Sequence, residues 1–340
     1  MATISMFLGT RRTVDEMGET LRSKYNLRES YRLGFGDHCV REARVLNRVV
    51  TLSREDGRKT VRIEADARHV ELILWDLGLN KTNAKPVVHP GAKLTQADVD
   101  RRRHEPELER KQASSYRSCV MRASFVAQDR PDIAEAVKSL AQFMSKPTAG
   151  AWQDLKHLGR YLLGQPYKAL VYRQQRMPTA IKASVDSNHA GDLFTRKSTT
   201  GVVLRLGQHC VRASSNLQVS VGLNVAEAEY YALVDGSARG LGMQTFMRDL
   251  GIDLSITVES DSNSAKSFAC RLGLGKQRHV QTRFLWLQER VAAHDVMIVK
   301  IASGNNVADM LTKVIDTATQ TKHMRTLAVE DCYSAKQFQA

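Results

Sequence analysis

Four carboxylates in the 340-residue sequence sit where the surrounding pattern could bring them together: Asp186, Glu229, Asp261 and Asp309. Ile181, Ala183 and Val185 alternate with Lys182, Ser184 and Asp186, the period of a half-buried strand, which sets Asp186 on the side opposite the apolar residues. Glu229 lies in a helix expected over residues 225–250 and shares a face with Ala226 and Leu233, at i−3 and i+4. Glu227 shares another face with Tyr231 and Val234. With Tyr230 and Leu233 turned to the sheet, Glu229 is the acid expected to point inward. Asp261 follows a strand expected over 255–259 and leads into a helix through Ser262 and Asn263. The end of such a strand opens on the crevice where α/β proteins bind ligands. Asp309 falls in the first turn of a last helix, expected over 306–314.

Each acid has a simpler local reading. Asp186 alone is a turn residue, Glu229 one more acid on a solvated helix, Asp261 an N-cap, and Asp309 an anion favoured by the helix dipole. What they share is position, each at the end of an element that this order of strands carries to one side of the sheet. Clustered carboxylates repel one another unless a cation neutralises them, so the group reads as a Mg²⁺ or Mn²⁺ site. Two such ions roughly 3.5 to 4 Å apart can activate a water and stabilise the leaving oxygen of a phosphodiester.

The elements that must position these acids follow from periodicity. Strands over 181–186, 201–206 and 209–214 come first, the last two joined by Gly207-Gln208 as a hairpin turn. Then come the helix 225–250, the strand 255–259, helices over 263–272 and 279–294, a strand over 296–301 and the final helix. Three antiparallel strands followed by alternating strands and helices make a mixed α/β sheet covered by helices, the order of a ribonuclease H fold.

Upstream, residues 49–52 and 60–63 read as strands, and 14–24 and 67–77 as helices. The stretch 85–111 is polar and broken by Pro86, Pro90, Gly91 and Pro106, which suits a linker. After it, Ile133, Val137, Leu140 and Met144, then Trp152, Leu155 and Leu162, pattern a helical hairpin. Trp152 is expected to be core. The organisation expected is therefore residues 1–110 as one segment with its linker, 111–177 as a helical region, 178–316 as the ribonuclease-H-like domain and 317–340 as a tail.

A formal charge of +14, from 50 basic against 36 acidic residues, favours a polyanionic partner such as nucleic acid. With 42% hydrophobic and 25% charged residues the composition is globular. No run approaches the 18 or more apolar residues a membrane span needs (about 27 Å of helix), so the chain is expected to be soluble and intracellular, cytoplasmic or nuclear. The five cysteines are scattered without a Cys-x-x-Cys pair and read as reduced thiols.

In the stretches around the acids the chain resembles the C-terminal part of the Pol polyprotein of Ty1/copia-type retrotransposons, whose last enzyme is a ribonuclease H. The matching runs are Ser184-Val185-Asp186-Ser187-Asn188-His189-Ala190-Gly191-Asp192, Arg196-Lys197-Ser198-Thr199-Thr200-Gly201, Ala226-Glu227-Ala228-Glu229-Tyr230-Tyr231-Ala232-Leu233, Ser260-Asp261-Ser262-Asn263-Ser264-Ala265 and Ala308-Asp309-Met310-Leu311-Thr312-Lys313. The resemblance extends upstream through Tyr116-Arg117-Ser118 and Arg130-Pro131-Asp132-Ile133-Ala134 to the connection region, and less closely to the end of a reverse transcriptase palm over 1–90. It implies a partial palm remnant, a helical connection and a ribonuclease H, with Asp186, Glu229, Asp261 and Asp309 as ligands of two Mg²⁺ or Mn²⁺ ions and as the catalytic group.

The same resemblance implies hydrolysis of the RNA strand of an RNA·DNA hybrid. Polymerase activity is not expected, since no Asp-Asp pair exists in the chain. The loop Ser303-Gly304-Asn305-Asn306 also lacks the histidine many ribonucleases H carry there, and His279 and His294 are expected to be structural or solvent-facing. A hybrid would be held through phosphates and identified by its 2′-hydroxyls. Candidate contacts are Arg196, Lys197, Ser198 and Thr199, with Lys276 and Arg278 as a second basic group. Two rival readings remain, a catalytically inactive nucleic-acid-binding remnant and an integrase-like nuclease of the same fold class. The Ala-Asp-x-Leu-Thr-Lys context of Asp309 speaks against the second.

Overall fold

The computed structural model describes residues 9–26, 31–275 and 279–332, and these fall into two compact units divided between Ala43 and Arg44. In the first unit, helix α1 (Arg11–Arg22) begins at Thr10, whose hydroxyl accepts from the Thr13 amide, and buries none of its residues. An exposed i,i+4 pair, Arg12 with Glu16 at 2.7 Å, lies along its surface.

The second unit holds two five-stranded sheets. Strand β1 (Glu42–Val45), in which the boundary falls, and strands β2 (Arg48–Glu55) and β3 (Arg58–Ala65) open the chain's first sheet. Asp56 and Gly57 join β2 to β3 with φ of 49° and 75°, the left-handed pair that a two-residue hairpin requires. Helix α2 (Arg68–Asp76) follows, burying Val70 and Ile73. Within the expected linker the chain forms helix α3 (Gln96–Arg102), started by a capping box between Thr95 and Asp98. Helix α4 (Arg110–Val126) then supplies Tyr116, Cys119, Val120, Ala123 and Val126 to the core.

The expected helical hairpin is present as α5 (Ala134–Ala141) and α6 (Ala149–Gly164), packed with α2 and α4 in one apolar cluster that Trp152 flanks. A buried ion pair anchors this region. Arg130 donates to both oxygens of Asp132, at 2.9 and 2.7 Å, and to the Gln165 carbonyl. The Tyr161 hydroxyl adds a bond of 2.8 Å to the same carboxylate. Strand β4 (Lys168–Arg173) then pairs with β3.

The second sheet carries the expected ribonuclease-H-like order. Strands β5 (Ala180–Asn188), β6 (Thr199–Leu206) and β7 (His209–Leu217) are antiparallel, with Gly207 at φ +60° in the β6–β7 turn. Helix α7 (Val225–Asp249), strand β8 (Ser255–Ser260), helix α8 (Asn263–Ala269), helix α9 (Trp286–Ala292) and strand β9 (Met297–Lys300) follow, with β5–β8 and β8–β9 parallel. The spatial order is β7-β6-β5-β8-β9. One face of this sheet packs Ala183, Val185, Val202 and Val258 against α7, α8 and α9.

Three expectations about the C-terminal elements are corrected. The helix read over 279–294 is a 3₁₀ turn, Thr282–Phe284, followed by α9. The helix expected over 306–314 is a 3₁₀ turn, Val307–Leu311, because Asn306 uses its side chain to accept from the Ala308 amide and to donate to the Val185 carbonyl. Residues 317–332 are not a free tail. Helix α10 (Thr317–Thr326) and strand β10 (Val329–Asp331) return to the first sheet, where Val329 pairs with Leu170 of β4. Leu170, Val203, Leu311, Met324 and Leu327 form the cluster that joins the two sheets.

Candidate metal centre

Asp186 lies in mid-ladder, opposite Gly201 of β6, and is 3% exposed. The alternation that buries Val185 against α7 turns Asp186 to the other face, where the Thr312 hydroxyl donates to it. Glu229 is in the second turn of α7, whose start is fixed by Asn224 accepting from the Glu227 amide at 3.0 Å. Its neighbour Glu227 is buried and fully engaged, accepting from the Tyr231 hydroxyl, the Leu223 amide and His279 Nε2. Glu229 Oε2 has no protein partner. Helix geometry thus separates a structural glutamate from one aimed at the site.

Asp261 leaves β8 and enters α8, but it is not the cap: Ser262 takes that role, its hydroxyl accepting from the Ala265 amide at 3.2 Å. The Asp261 carboxylate is thereby left for other work. Asp186, Glu229 and Asp261 each bring one oxygen into a group whose members lie within 4.8 Å of one another.

Asp309 stands beside this triad rather than in it. Lys313 Nζ is 3.3 Å from Asp309 Oδ2 and 3.9 Å from Asp186 Oδ2, so an ammonium links the two acids. The second Asp309 oxygen is buried without a partner.

The electrostatics follow from this crowding. Burial first, then the charges of Asp186 and Asp261, push Glu229 up to about 9. Burial and Asp186 push Asp309 up to about 6 against the pull of Lys313. Burial raises Asp186 as well, opposed by Lys313 and by the Thr312 hydrogen bond. Three elements converging hard oxygen ligands, two of the oxygens of the site buried and unpartnered, is an arrangement that fits a hard divalent cation such as Mg²⁺ or Mn²⁺.

The expected substrate contacts divide. Arg196 is exposed, in a left-handed conformation with φ 59°, its amide bonded to the Asp192 carbonyl. Lys197 beside it is partly exposed. Ser198 and Thr199 are each 1% exposed, so their hydroxyls are not offered to phosphates. Ser198 Oγ accepts from the Ala190 amide, and Thr199 Oγ1 accepts from Lys138 Nζ of α5. They fix the β5–β6 loop instead. Lys276 and Arg278 lie outside the described residues. His279 binds Glu227, and His294, also left-handed, ends α9.

Thr312 and Lys313 join the site although no periodicity of the sequence assigns them to it. For Lys313 the available signal is its spacing, four residues after Asp309. Gly201 belongs to the site as well, since its lack of a side chain lets the Asp309 turn close on β6.

No family model matches the chain. Among curated proteins, the retrovirus-related Pol polyprotein from transposon TNT 1-94 of Nicotiana tabacum is 30% identical over 246 residues, 69% of this chain and 18% of the relative. That from transposon RE2 of Arabidopsis thaliana is 27% identical over 253 residues, 74% of this chain and 17% of the relative. The chain therefore spans less than a fifth of the length of these relatives. Among solved structures, a foamy viral protease-reverse transcriptase in complex with dsDNA aligns over 78% of this chain and 46% of its own, with a TM-score of 0.47 and 14% identity. Among the described residues, no helix is long and apolar enough to cross a membrane.

Proposed function

The chain is related to the Pol polyproteins of Ty1/copia-type plant retrotransposons, and on that footing we propose that its residues 178–316 act as a ribonuclease H that cleaves the RNA strand of an RNA·DNA hybrid. The observation that carries this reading is the convergence of Asp186, Glu229 and Asp261 within 4.8 Å from three separate elements of a sheet ordered β7-β6-β5-β8-β9. A retroelement nuclease role accounts for both the fold and the kinship. Hybrid specificity, two-ion chemistry and an intracellular site of action in cytoplasm or nucleus are part of the proposal.

Asp186, Glu229 and Asp261 would hold one divalent ion, and Asp186 with Asp309 would offer ligands to a second. Such ions, when bound, supply an activated water and charge for the leaving oxygen. The chain's own contribution is placement. Thr312 orients the Asp186 carboxylate, Ser262 frees that of Asp261, and the partners of Glu227 fix the first turns of α7 so that Glu229 faces inward. Arg196 and Lys197, at the rim of the β5–β6 loop, are the proposed phosphate contacts.

The test is cleavage of a labelled RNA·DNA hybrid by pure protein while Mg²⁺ or Mn²⁺ is titrated. Wild type is expected to give product only with metal, and Asp261→Asn to give none. Salt-sensitive hybrid binding with no product at any metal concentration would instead support a non-catalytic nucleic-acid-binding role.

A further inference from the structure

The two halves of the acidic site are neutralised differently. On one side, Glu229 and Asp261 have no basic side chain within ion-pair distance among the described residues, and Glu229 Oε2 is buried without any partner. On the other, the Lys313 ammonium sits between Asp309 and Asp186, at 3.3 and 3.9 Å. The lysine is also movable. Its side chain is 44% exposed, and four methylene groups tether the charge to a residue that follows the 3₁₀ turn. An ammonium so placed and so tethered can satisfy the two acids and can also leave them.

We propose that Lys313 is a built-in counter-ion that holds the Asp186–Asp309 side of the site together when no metal is bound and competes with the second of two divalent ions for those two carboxylates. The proposal rests on the metal-site reading above. It follows that the two ion sites are unequal by construction. The Asp186–Glu229–Asp261 triad, of which only Asp186 lies within ion-pair distance of a basic side chain among the described residues, takes the first ion. The Asp186–Asp309 pair takes the second only as Lys313 withdraws, so the protein itself sets the metal concentration at which the second site fills.

The experiment is a Mn²⁺ titration of the full chain, followed by calorimetry and by the loss of the free-ion electron paramagnetic resonance signal, on wild type, Lys313→Met and Lys313→Arg. Wild type is expected to bind one ion in a tighter phase and one in a weaker phase. Lys313→Met, which keeps the length of the side chain and removes its charge, is expected to tighten the weaker phase by about tenfold while the tighter phase changes little. It should also melt at a lower temperature than wild type in EDTA and recover in saturating Mn²⁺, whereas Lys313→Arg keeps the weak second phase. Should the methionine variant fail to fold even with Mn²⁺, Lys313→Gln reads the same competition. Identical isotherms for wild type and the neutral variants, or a weaker second phase in those variants, would overturn the role of Lys313 alone. No Mn²⁺ bound by any of the proteins would remove the metal site itself, and this proposal with it.

Discussion

Gly201 lies directly across the β5–β6 ladder from Asp186, and a β-carbon there would meet the Ala308 carbonyl oxygen at 2.8 Å and the Leu311 and Thr312 side chains at 2.9 Å. The glycine is required for space rather than for an unusual φ. Its bare Cα lets the turn that carries Asp309, Thr312 and Lys313 close against the strand beside Asp186. Gly201→Ala must push that turn outward, because the nearest obstacle is backbone. It is expected to destabilise the fold by about 1 to 3 kcal/mol, the usual range for overpacking, and to weaken Mn²⁺ binding. Urea denaturation and a metal titration check both. An alanine variant with wild-type stability and affinity would show that the turn does not depend on this contact.

What was legible in the sequence was mostly local. The strand alternation around Asp186 and the helix faces around Glu227 and Glu229 are properties of three to eight neighbouring residues, and the structure assigns the two glutamates different partners along those faces. Less legible were features set by distant segments. Strand β10 finds its partner β4 about 160 residues upstream, a register no periodicity announces (Val329 with Leu170). The turn at 307–311 is shortened by Asn306 reaching the Val185 carbonyl, a contact that depends on the closure of the sheet. Asp261 taken alone reads as a helix cap, and only the folded chain shows that Ser262 fills that position. The prolines of 85–111 obscured the capping box of α3.

The Arg130–Asp132 pair, 1% and 2% exposed, is expected to be a stability determinant of the helical region. Burial alone would raise Asp132, but the guanidinium beside it and the Tyr161 hydroxyl hold it below the ordinary carboxylate value of 3.8. Since its folded pKa is depressed, its contribution is complete above the unfolded value and is lost as pH falls through the folded one. Asp132→Asn leaves the Arg130 charge buried and unpaired, and a loss of about 3 to 5 kcal/mol is expected. Chemical denaturation of both proteins at neutral pH measures it. A difference under about 1 kcal/mol would mean that the carbonyl of Gln165 suffices to hold Arg130.

Glu229 makes the opposite prediction. Its folded pKa stands at about 9, above its ordinary value of 4.5, so the folded state binds the proton more tightly than the unfolded state does. The sign is therefore reversed relative to Asp132: stability of the metal-free protein declines as pH rises from the unfolded value toward about 9, and the decline is complete above it. Divalent metal, by neutralising the carboxylate, should remove most of that decline. Glu229→Gln carries a neutral side chain of the same shape. It is expected to be more stable than wild type near pH 8 in EDTA, to lose this part of the pH dependence, and to gain less than wild type from Mn²⁺. Melting curves from about pH 5 to pH 9, with and without Mn²⁺, provide the comparison. If the glutamine variant melts below wild type in EDTA at the alkaline end, the burial of Glu229 is matched by partners that its unpaired Oε2 does not reveal, and the carboxylate is structural.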